Sequence, residues 1–390
     1  MDRDLFDADH EMYRDSVRTF LSKEVVPHYE RWEEAALIDR AVWRLAGETG
    51  LLGLAVAEEY GGSGVADYRF RYIVCEEVAQ SATTSFGVGV SLHDDVAIPY
   101  IQDLGTDEQK RRWLPGMASG ALIGAVAMTE PGAGSDLQGI ATTATADGDH
   151  YVINGSKTFI TNGIHADVAV VVARTGSSSG SKSLSLIVVE DGTPGFSKGR
   201  KLKKVGLAAQ DTAELVFQDA RVPRGNLLGA EGDGFAELMA RLPLERLSVA
   251  VAAMAGARAA FDWTVTYAFD RSVFGRPVGS FQNSKFVLAE MATELDVSRT
   301  YIDAAVVAYN GGRLTAVDAA KAKWWATELQ KTVVDRCVQL HGGYGYMMEY
   351  PIARAYVDNR VQTIYGGTTE IMKEIIGRDI ESLALKGYSG

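Results

Sequence analysis

The sequence predicts an α+β fold in which a β-rich middle segment separates two helical segments. Apolar residues recur at helical spacing before about residue 125 and after about residue 234, and this periodicity is typical of amphipathic helices. Between these positions, short runs rich in Val, Ile and Thr alternate with turn dipeptides, which indicates strands. A chain of 390 residues has room for roughly two to three domains. We therefore expect an N-terminal helical domain at 1–125, a middle β-barrel domain at 126–233 and a C-terminal helical bundle at 234–390.

Charge and cysteine content exclude several classes of protein. Lys and Arg number 39 against 51 Asp and Glu, so the net charge is −12, whereas a nucleic-acid-binding protein usually carries a basic field. Two cysteines, Cys75 and Cys337, are too few for a disulfide scaffold, which favours a reducing compartment and a cytoplasmic protein. No apolar run reaches the roughly 18 residues of a membrane span. The acidic N-terminus is unlike a signal peptide.

The N-terminal segment contains three amphipathic stretches and one helix with a capping signal. The first stretch runs from residue 9 to about residue 34, and the next two cover 40–49 and 68–80. Thr106 has the side chain of an N-cap and precedes an acidic turn. A further helix is therefore expected from there to about Ser119.

Strands are expected in the middle segment, separated by tight turns. Asp147-Gly148 and Asn154-Gly155 are strong turn dipeptides, and the Gly/Ser-rich stretch 176–181 is expected to be a loop. The predicted strands cover 141–146, 151–153, 157–160, 168–173, 183–189 and 213–217. Short strands with regular turns favour a small barrel or sandwich.

Long helices with short connections predict a bundle in the last third of the chain. One helix begins near residue 234, a second covers 281–309, and a fourth begins near residue 369. The third begins at Thr315, where Asp318 makes a start like a capping box, and reaches about residue 340.

The 41 glycines include four clusters at the boundaries of predicted elements. They lie at 129–136, 155–163, 342–345 and 366–367. Such loops allow the backbone to approach a flat or phosphorylated ligand, although ordinary turns would look the same. No strand–GxGxxG–helix unit, P-loop, HExxH or CxxC motif is present, so neither a nicotinamide-type site nor a metal site is expected.

Five motifs in order resemble those of the acyl-CoA dehydrogenase family over essentially the whole chain. They are TEPGAGSD at 129–136, SKTFITNG at 156–163, RSVFGRPVGSFQ at 271–282, QLHGGYGY at 339–346 and IYGGTTEI at 364–371. The resemblance implies the three-domain acyl-CoA dehydrogenase-like fold. It also implies FAD as the cofactor and an acyl-CoA thioester as the substrate.

The resemblance implies that residues of these motifs bind FAD. Thr129 and Ser135 offer donors where negative charge develops on the reduced flavin, and Thr161 resembles a threonine near flavin N5. Phe159 takes the place of an aromatic residue beside the ring, which is compatible with a strand-core position. The implied cofactor-binding residues are Met128, Thr129, Ser135, Phe159, Thr161, Arg271, Phe274, Gln282, Gln339, Gly342, Gly343, Thr368 and Glu370.

Two of these residues have simpler alternatives. Arg271 resembles the start of a segment that reaches a neighbouring subunit's FAD, where an arginine can pair with the pyrophosphate, but it could be a solvated residue at a helix end. Thr368 could only cap the last helix.

The catalytic base is the main departure from the usual family pattern. Most members carry a glutamate directly before the Gly-Thr of the last motif, where this chain has Gly366. Long-chain and isovaleryl-CoA dehydrogenases place the base on a bundle helix in a similar L-E-R-L setting, which here contains Glu245. Glu245 is therefore the predicted base, with a carboxylate favoured only by the helix dipole as the alternative.

The resemblance also implies Ser135, Arg246 and Gly367 as substrate-binding residues. Arg246 resembles an arginine that contacts ligand or shapes the pocket, with an intrahelical salt bridge as the alternative. The backbone of Gly367 would polarise the thioester carbonyl.

Several further residues invite simpler interpretations. Five cations lie at Lys198, Arg200, Lys201, Lys203 and Lys204, where a solvated surface competes with contacts to the CoA phosphate or a partner. His341 is expected to pack or form hydrogen bonds, and both cysteines are expected in the core.

The predicted reaction is dehydrogenation of an acyl-CoA to the trans-2-enoyl-CoA, with electrons passing to an electron-transfer flavoprotein. A flavin oxidase or monooxygenase on the same fold, and a non-catalytic acyl-CoA-binding scaffold, are the alternatives. A straight medium to long acyl chain is expected, with a branched chain as the alternative. The resemblance implies a homotetramer, although a dimer stays open.

Overall fold

The computed structural model describes residues 3–176 and 181–385. Most of the Gly/Ser-rich loop expected at 176–181 lies outside the described residues. The N-terminal helices are α1 (Ala8–Phe20), α2 (Tyr29–Ala35), α3 (Arg40–Glu48), α4 (Tyr68–Gln80), α5 (Thr84–Ser91), α6 (Ile98–Leu104) and α7 (Asp107–Ala118).

Local signals explain where several of these helices begin and break. At Thr106 the predicted cap is confirmed: its hydroxyl accepts from the Gln109 amide, and the Gln109 side chain accepts from the Thr106 amide. The continuous helix expected over 9–34 is wrong. It is interrupted by a π-helical turn at Leu21–Val25 and a 3-10 turn at Val26–His28, because Pro27 lacks the amide donor that a continuing helix needs.

The middle segment forms one mixed sheet. Its order is β6-β7-β3-β2-β4-β5-β8, and β1 pairs with β4 in parallel. The strands are β1 (Gly124–Ala127), β2 (Thr143–Asp147), β3 (His150–Thr161), β4 (Val168–Arg174), β5 (Leu184–Glu190), β6 (Phe196–Lys201), β7 (Thr212–Pro223) and β8 (Leu227–Leu228).

One of the two predicted turns is wrong. Gly148 has a φ of +60° and lies in the turn between β2 and β3. Asn154-Gly155 instead lies inside β3, where the pairing with β7 shifts register between Ile153 and Gly155. The dipeptide is accommodated as a bulge because β3 is paired on both sides, by β2 and β7.

Strand β4 is buried on both faces. Val168, Val170 and Val172 pack in the apolar cluster that includes residues of the N-terminal helices, such as Tyr100. The alternating residues, including Val171, pack inside the sheet domain. The N-terminal helices therefore pack directly against this face of the sheet, and β1 lies in the same apolar cluster as these helices.

The last third is the predicted helical bundle. Its helices are α8 (Gly234–Asp270), α9 (Gln282–Asn310), α10 (Ala316–His341), α11 (Pro351–Asp358) and α12 (Thr369–Leu385). Strands β9 (Ser272–Val273) and β10 (Arg276–Pro277) form a hairpin between α8 and α9. Throughout the described part of the chain, each helix is too short or too polar to cross a bilayer.

Gly120 is a position where the fold requires glycine. It follows α7 with a φ of +68°, and an added Cβ would overlap the backbone carbonyl of Trp43. Gly148 has a similar φ of +60°, but an added Cβ there meets no atom within 4 Å. Comparing alanine substitutions at Gly120 and Gly148 therefore separates the free-energy cost of the left-handed backbone from the cost of the steric overlap.

We expect Gly120→Ala to lower the free energy of unfolding by about 3 kcal/mol, from a left-handed backbone cost and an overpacking cost of about 1–2 kcal/mol each. The control, Gly148→Ala, carries only the backbone cost. Denaturant unfolding of both variants tests this. Equal losses in the two variants would contradict the structural role of the contact with Trp43.

Candidate active site

Glu245 lies on α8 in a setting that disfavours its charge. Its Oε1 accepts a hydrogen bond of 2.9 Å from the Tyr100 hydroxyl, and Tyr100 is buried. Desolvation raises the pKa of Glu245, opposed by the Tyr100 hydrogen bond and by the charges of Arg246 and Arg241. A carboxylate with a raised pKa is suited to proton transfer near neutral pH.

Gly366 faces the turn of α8 that follows Glu245. A Cβ added at Gly366 would lie 3.5 Å from Cγ2 of Val249, and Val249 is one helical turn after Glu245. Gly366 and Gly367 have φ values of +62° and +95°. The backbone that replaces the usual family glutamate is therefore in a conformation that favours glycine.

Lys323 anchors the Gly366–Gly367 turn from the side of α10. Its side chain is fully buried, and Nζ donates a 2.7 Å hydrogen bond to the Gly367 carbonyl. Desolvation, together with the nearby charge of Arg246, lowers the pKa of Lys323 to about 8. Sequence analysis missed Lys323, because its partner lies 44 positions away and no motif connects them.

Arg246 is buried beside this turn. Within the described residues it forms no salt bridge, and its Nε has no hydrogen-bond partner. The intrahelical salt bridge considered as an alternative is therefore absent from the structure. A buried guanidinium with free donors is suited to binding an anion or a carbonyl.

The loop at 129–136 is held by a buried ion pair. Lys157 Nζ lies 2.7 Å from Glu130 Oε1 and 3.2 Å from the Met128 carbonyl. The Glu130 carboxylate also accepts from the Ala141 and Thr142 amides. Desolvation lowers the pKa of Lys157 to about 8, even though Glu130 opposes the shift.

The same loop is tied to the end of β3. The Thr158 amide donates 2.9 Å to the Thr129 carbonyl. The predicted residues Met128 and Thr129 therefore lie next to the carboxyl end of β3, the strand that ends at Thr161.

Phe159 is exposed, so the expectation that it is also a strand-core residue is wrong. Its side chain is 67% exposed and its φ is +60°. The pairing of β3 with β7 shifts register between Lys157 and Ile160, and this bulge turns the ring out of the sheet. A non-glycine residue in this backbone region is often functional.

The residues present at this edge fit a flavin. The exposed ring of Phe159 and the hydroxyl of Thr161 belong to the end of β3, to which the Thr129 backbone is bonded through Thr158. The hydroxyls of Thr129, Ser135 and Thr161 have no hydrogen-bond partner among the described residues. A flat polar ring system needs both an apolar surface and free donors.

The other predicted cofactor residues lie on the surface of the bundle. Phe274, in the β9–β10 hairpin, is 97% exposed with a φ of +50°, and the Arg271 guanidinium lies over the Tyr344 ring at 5.6 Å. The remaining members of this exposed group are Gln282, Gln339, Gly342 and Gly343. Arg271 is exposed and lies over Tyr344 in the glycine segment, so its role in binding the cofactor stays a prediction.

Thr368 and Glu370 lie where α12 begins. The Thr368 hydroxyl accepts from the Ile371 amide at 3.3 Å, so the capping role proposed as an alternative is confirmed. A cofactor contact by the same hydroxyl stays a prediction.

Most of the remaining residues that the sequence analysis named have structural partners, although Lys203 has no hydrogen bond or ion pair within the described chain. Lys198 pairs with Asp191, and Lys204 donates to Gln210 and Thr212. His341 is buried, bonds to the Cys337 carbonyl and stacks on Tyr267, as expected. Both cysteines are buried free thiols. Across residues 3–176 and 181–385, no grouping of His, Cys, Asp and Glu could hold a metal ion.

Family models and relatives match nearly the full length. The models for the N-terminal, middle and C-terminal domains of acyl-CoA dehydrogenase match residues 7–121, 125–220 and 232–381. The mitochondrial long-chain specific acyl-CoA dehydrogenase of Sus scrofa is 50% identical over 380 residues, which cover 97% of this chain and 88% of that protein.

Solved structures agree with these matches. The acyl-CoA dehydrogenase of Geobacillus kaustophilus has a TM-score of 0.94 at 50% identity, covering 96% of this chain and 99% of that chain. The acyl-CoA dehydrogenase of Bacillus anthracis complexed with FAD has a TM-score of 0.91 at 32% identity, covering 98% and 69% of the two chains.

Tyr100→Phe should raise the pKa of Glu245, because the lost hydrogen bond stabilises the ionised carboxylate. Infrared titration of the carboxyl band, with Glu245→Gln subtracted as the blank, measures this pKa directly. The control, Tyr151→Phe, removes a buried hydroxyl that bonds to Glu231 in the sheet domain. An unchanged or lowered pKa in Tyr100→Phe would contradict the proposed contact.

Proposed function

The chain belongs to the acyl-CoA dehydrogenase family of FAD-dependent oxidoreductases, and we propose that Glu245 is the base with which it converts an acyl-CoA to the trans-2-enoyl-CoA. One observation carries the assignment of the base. The partly buried Glu245 carboxylate lies one helical turn from the residue that Gly366 faces. Because Gly366 has no side chain, we infer that substrate binds between Gly366 and α8. The Glu245 carboxylate on α8 would then remove its proton.

Proton removal requires both a base and a polarised carbonyl. The α-proton of a thioester is weakly acidic until its carbonyl oxygen accepts hydrogen bonds. The Gly367 amide is the proposed donor to the thioester carbonyl. Lys323 fixes the Gly366–Gly367 turn by donating a hydrogen bond to the carbonyl of Gly367 itself. The α-carbon–hydrogen bond breaks, its proton goes to a Glu245 oxygen, and its electron pair forms the new double bond as the β-hydrogen leaves as hydride.

FAD, when bound, supplies the two-electron acceptor for that hydride. We assign Met128, Thr129, Ser135, Phe159 and Thr161 to the flavin ring. Ser135 would contact both the ring and the thioester.

A second copy of the chain would supply the remaining contacts to FAD. The residues assigned to it are Arg271, Phe274, Gln282, Gln339, Gly342 and Gly343, together with Thr368 and Glu370 near the same cofactor. The β9–β10 hairpin supports this assignment, because Phe274 is 97% exposed within the described part of the chain. We propose a homotetramer and a cytoplasmic location, the latter supported by two unpaired thiols.

An electron-transfer flavoprotein is the proposed acceptor of the electrons. Glu245 and an intact 129–136 loop favour a dehydrogenase over an oxidase. The non-catalytic scaffold is disfavoured, because a structure that only binds acyl-CoA gains nothing from a desolvated carboxylate.

Glu245→Gln should bind acyl-CoA but reduce the flavin at least about 100-fold more slowly, because the amide cannot accept the α-proton. Anaerobic stopped-flow bleaching with butyryl-, octanoyl- and palmitoyl-CoA gives the rate, and calorimetry gives the affinity. The matched control, Glu294→Gln, removes a carboxylate from α9 that pairs with Arg336. Bleaching of Glu245→Gln at the parent rate would refute Glu245 as the base.

Air exposure of the substrate-reduced protein separates the dehydrogenase from an oxidase. We expect slow reoxidation and rapid electron transfer to an electron-transfer flavoprotein. Rapid reoxidation with formation of hydrogen peroxide would instead support the oxidase.

A further inference from the structure

A π-helical turn joins α5 to α6. It covers Leu92–Ala97, and the Ile98 amide that follows it donates to the His93 carbonyl, five residues back. An α-helix closes such bonds over four residues, whereas a π-helix adds one residue to the turn. The chain is therefore wound more loosely here, which changes the directions of the side chains that follow.

The looser turn brings Asp95 and Tyr100 to the same neighbour, α8. In an unbroken α-helix, residues five positions apart point about 140° away from each other around the axis. Here Asp95 accepts a hydrogen bond from Ser248, and Tyr100 donates one to Glu245. Ser248 follows Glu245 by three residues, so the two lie on one face of α8. One short segment of the chain thus contacts this face of α8 at two points.

The contact at Ser248 is a compact triangle of oxygen atoms. The Ser248 hydroxyl donates to Asp95 Oδ2 at 2.8 Å, and the Ser91 hydroxyl donates to the same oxygen at 2.7 Å. The two hydroxyl oxygens lie 2.8 Å apart. Ser248 is 3% exposed and Asp95 is 6% exposed, so water has little access to these bonds.

Asp95 is held from its other side by Arg71 of α4. Arg71 Nε lies 2.8 Å from Asp95 Oδ1, and Arg71 also pairs with Asp94. Asp94 in turn accepts a 2.6 Å hydrogen bond from the Gly53 amide. Burying a carboxylate is costly unless its oxygens are paired, and both Asp95 oxygens meet this condition. The triangle therefore attaches α8 to a carboxylate that is itself fixed by α4.

The position of Glu245 matters because proton transfer depends on the distance between the base and the proton. A misplacement of about 1 Å can lower a rate about 100-fold. The Tyr100 hydroxyl bonds directly to Glu245, but one hydrogen bond fixes a single distance and leaves the helix free to rotate or slide about it. A second contact one turn along, at Ser248, restricts both movements.

We propose that Ser248 and Asp95 are positioning residues for the proposed base, holding α8 where the Glu245 carboxylate meets the Tyr100 hydroxyl. This inference rests on the proposed function, because it specifies how the base of that reaction is placed. Ser248 is uncharged, and its hydroxyl bonds to Asp95 and contacts Ser91. Its removal therefore reaches Glu245 through the position of α8.

Ser248→Ala tests this inference, since it deletes one buried hydroxyl with little change in volume. The FAD-loaded enzyme is reduced anaerobically with whichever of butyryl-, octanoyl- and palmitoyl-CoA the parent uses fastest. We expect the saturated rate to fall about tenfold, while the acyl-CoA concentration for half-maximal rate changes less than about twofold. A weakened Tyr100 contact should also raise the pKa of Glu245. The acidic limb of the pH–rate profile then moves to higher pH, because only the ionised carboxylate accepts the proton.

A double-mutant cycle separates positioning from a general loss of packing. Infrared titration gives the pKa of Glu245 without turnover in Ser248→Ala, in Tyr100→Phe and in the double variant. Because Ser248 acts by presenting Glu245 to Tyr100, adding Ser248→Ala to Tyr100→Phe should change this pKa little further. Arg246 and Arg241, the charged groups that act on Glu245, are present in every variant.

Thr264→Val is the matched control on the same helix. The Thr264 hydroxyl is buried, as that of Ser248 is, but it donates within α8 to the Ala260 carbonyl. Its removal deletes a buried hydroxyl without releasing α8 from the N-terminal helices. The pH–rate profile and the pKa of Glu245 should therefore stay at their parent values.

The outcomes separate this inference from the proposed function. A parent pH–rate profile and an unchanged or lowered pKa of Glu245 in Ser248→Ala overturn the inference while leaving Glu245 as the base. Additive changes of this pKa in the double variant overturn it too, as does an equal change in Thr264→Val. If Glu245→Gln bleaches at the parent rate, the proposed function itself fails, whatever Ser248→Ala does.

Discussion

The hydrogen bond from Tyr100 to Glu245 joins the N-terminal helices to α8, and the geometry of the site depends on that contact. The long helix α8 is built largely of small buried residues, such as Ala250, Ala253 and Ala257, which let neighbouring helices approach closely. Rigid packing therefore positions the carboxylate, and burial raises its pKa. The environment of the proposed base is thus a consequence of the contact between the N-terminal helices and α8.

The proposed flavin site depends on a different constraint, the burial of Lys157 against Glu130. Burying an ion pair is costly unless the remaining polar atoms are satisfied. Glu130 meets this condition with two backbone amides, and Lys157 with the Met128 carbonyl. The pair therefore fixes the loop relative to β3, while the bulge that follows Lys157 turns Phe159 outward. A buried charge pair at Lys157 and an exposed aromatic ring at Phe159 thus arise two residues apart in β3.

Local sequence signals predicted much of the fold, whereas contacts between residues far apart in the sequence could not be predicted from it. The cap at Thr106 and the limits of α4 follow from adjacent residues. The interpretation of Asn154-Gly155 as a turn failed because pairing on both sides of β3 outweighs the local preference. Helices α5 and α6 were missed because 84–104 is rich in apolar residues and lacks a polar face. Glu245 was found from a motif, but its partner Tyr100 lies 145 positions away.

Gly366 is informative for its backbone as well as for its missing carboxylate. A side chain there would adopt a left-handed φ of +62° and extend toward Val249, at a backbone cost of about 1–2 kcal/mol. A second carboxylate beside Glu245 would also raise the pKa of both groups, because like charges disfavour ionisation. A single carboxylate, the proposed base Glu245, is therefore compatible with a glycine at position 366. The glycine at position 366 and the carboxylate at position 245 therefore favour each other, because a carboxylate at both positions would be unfavourable.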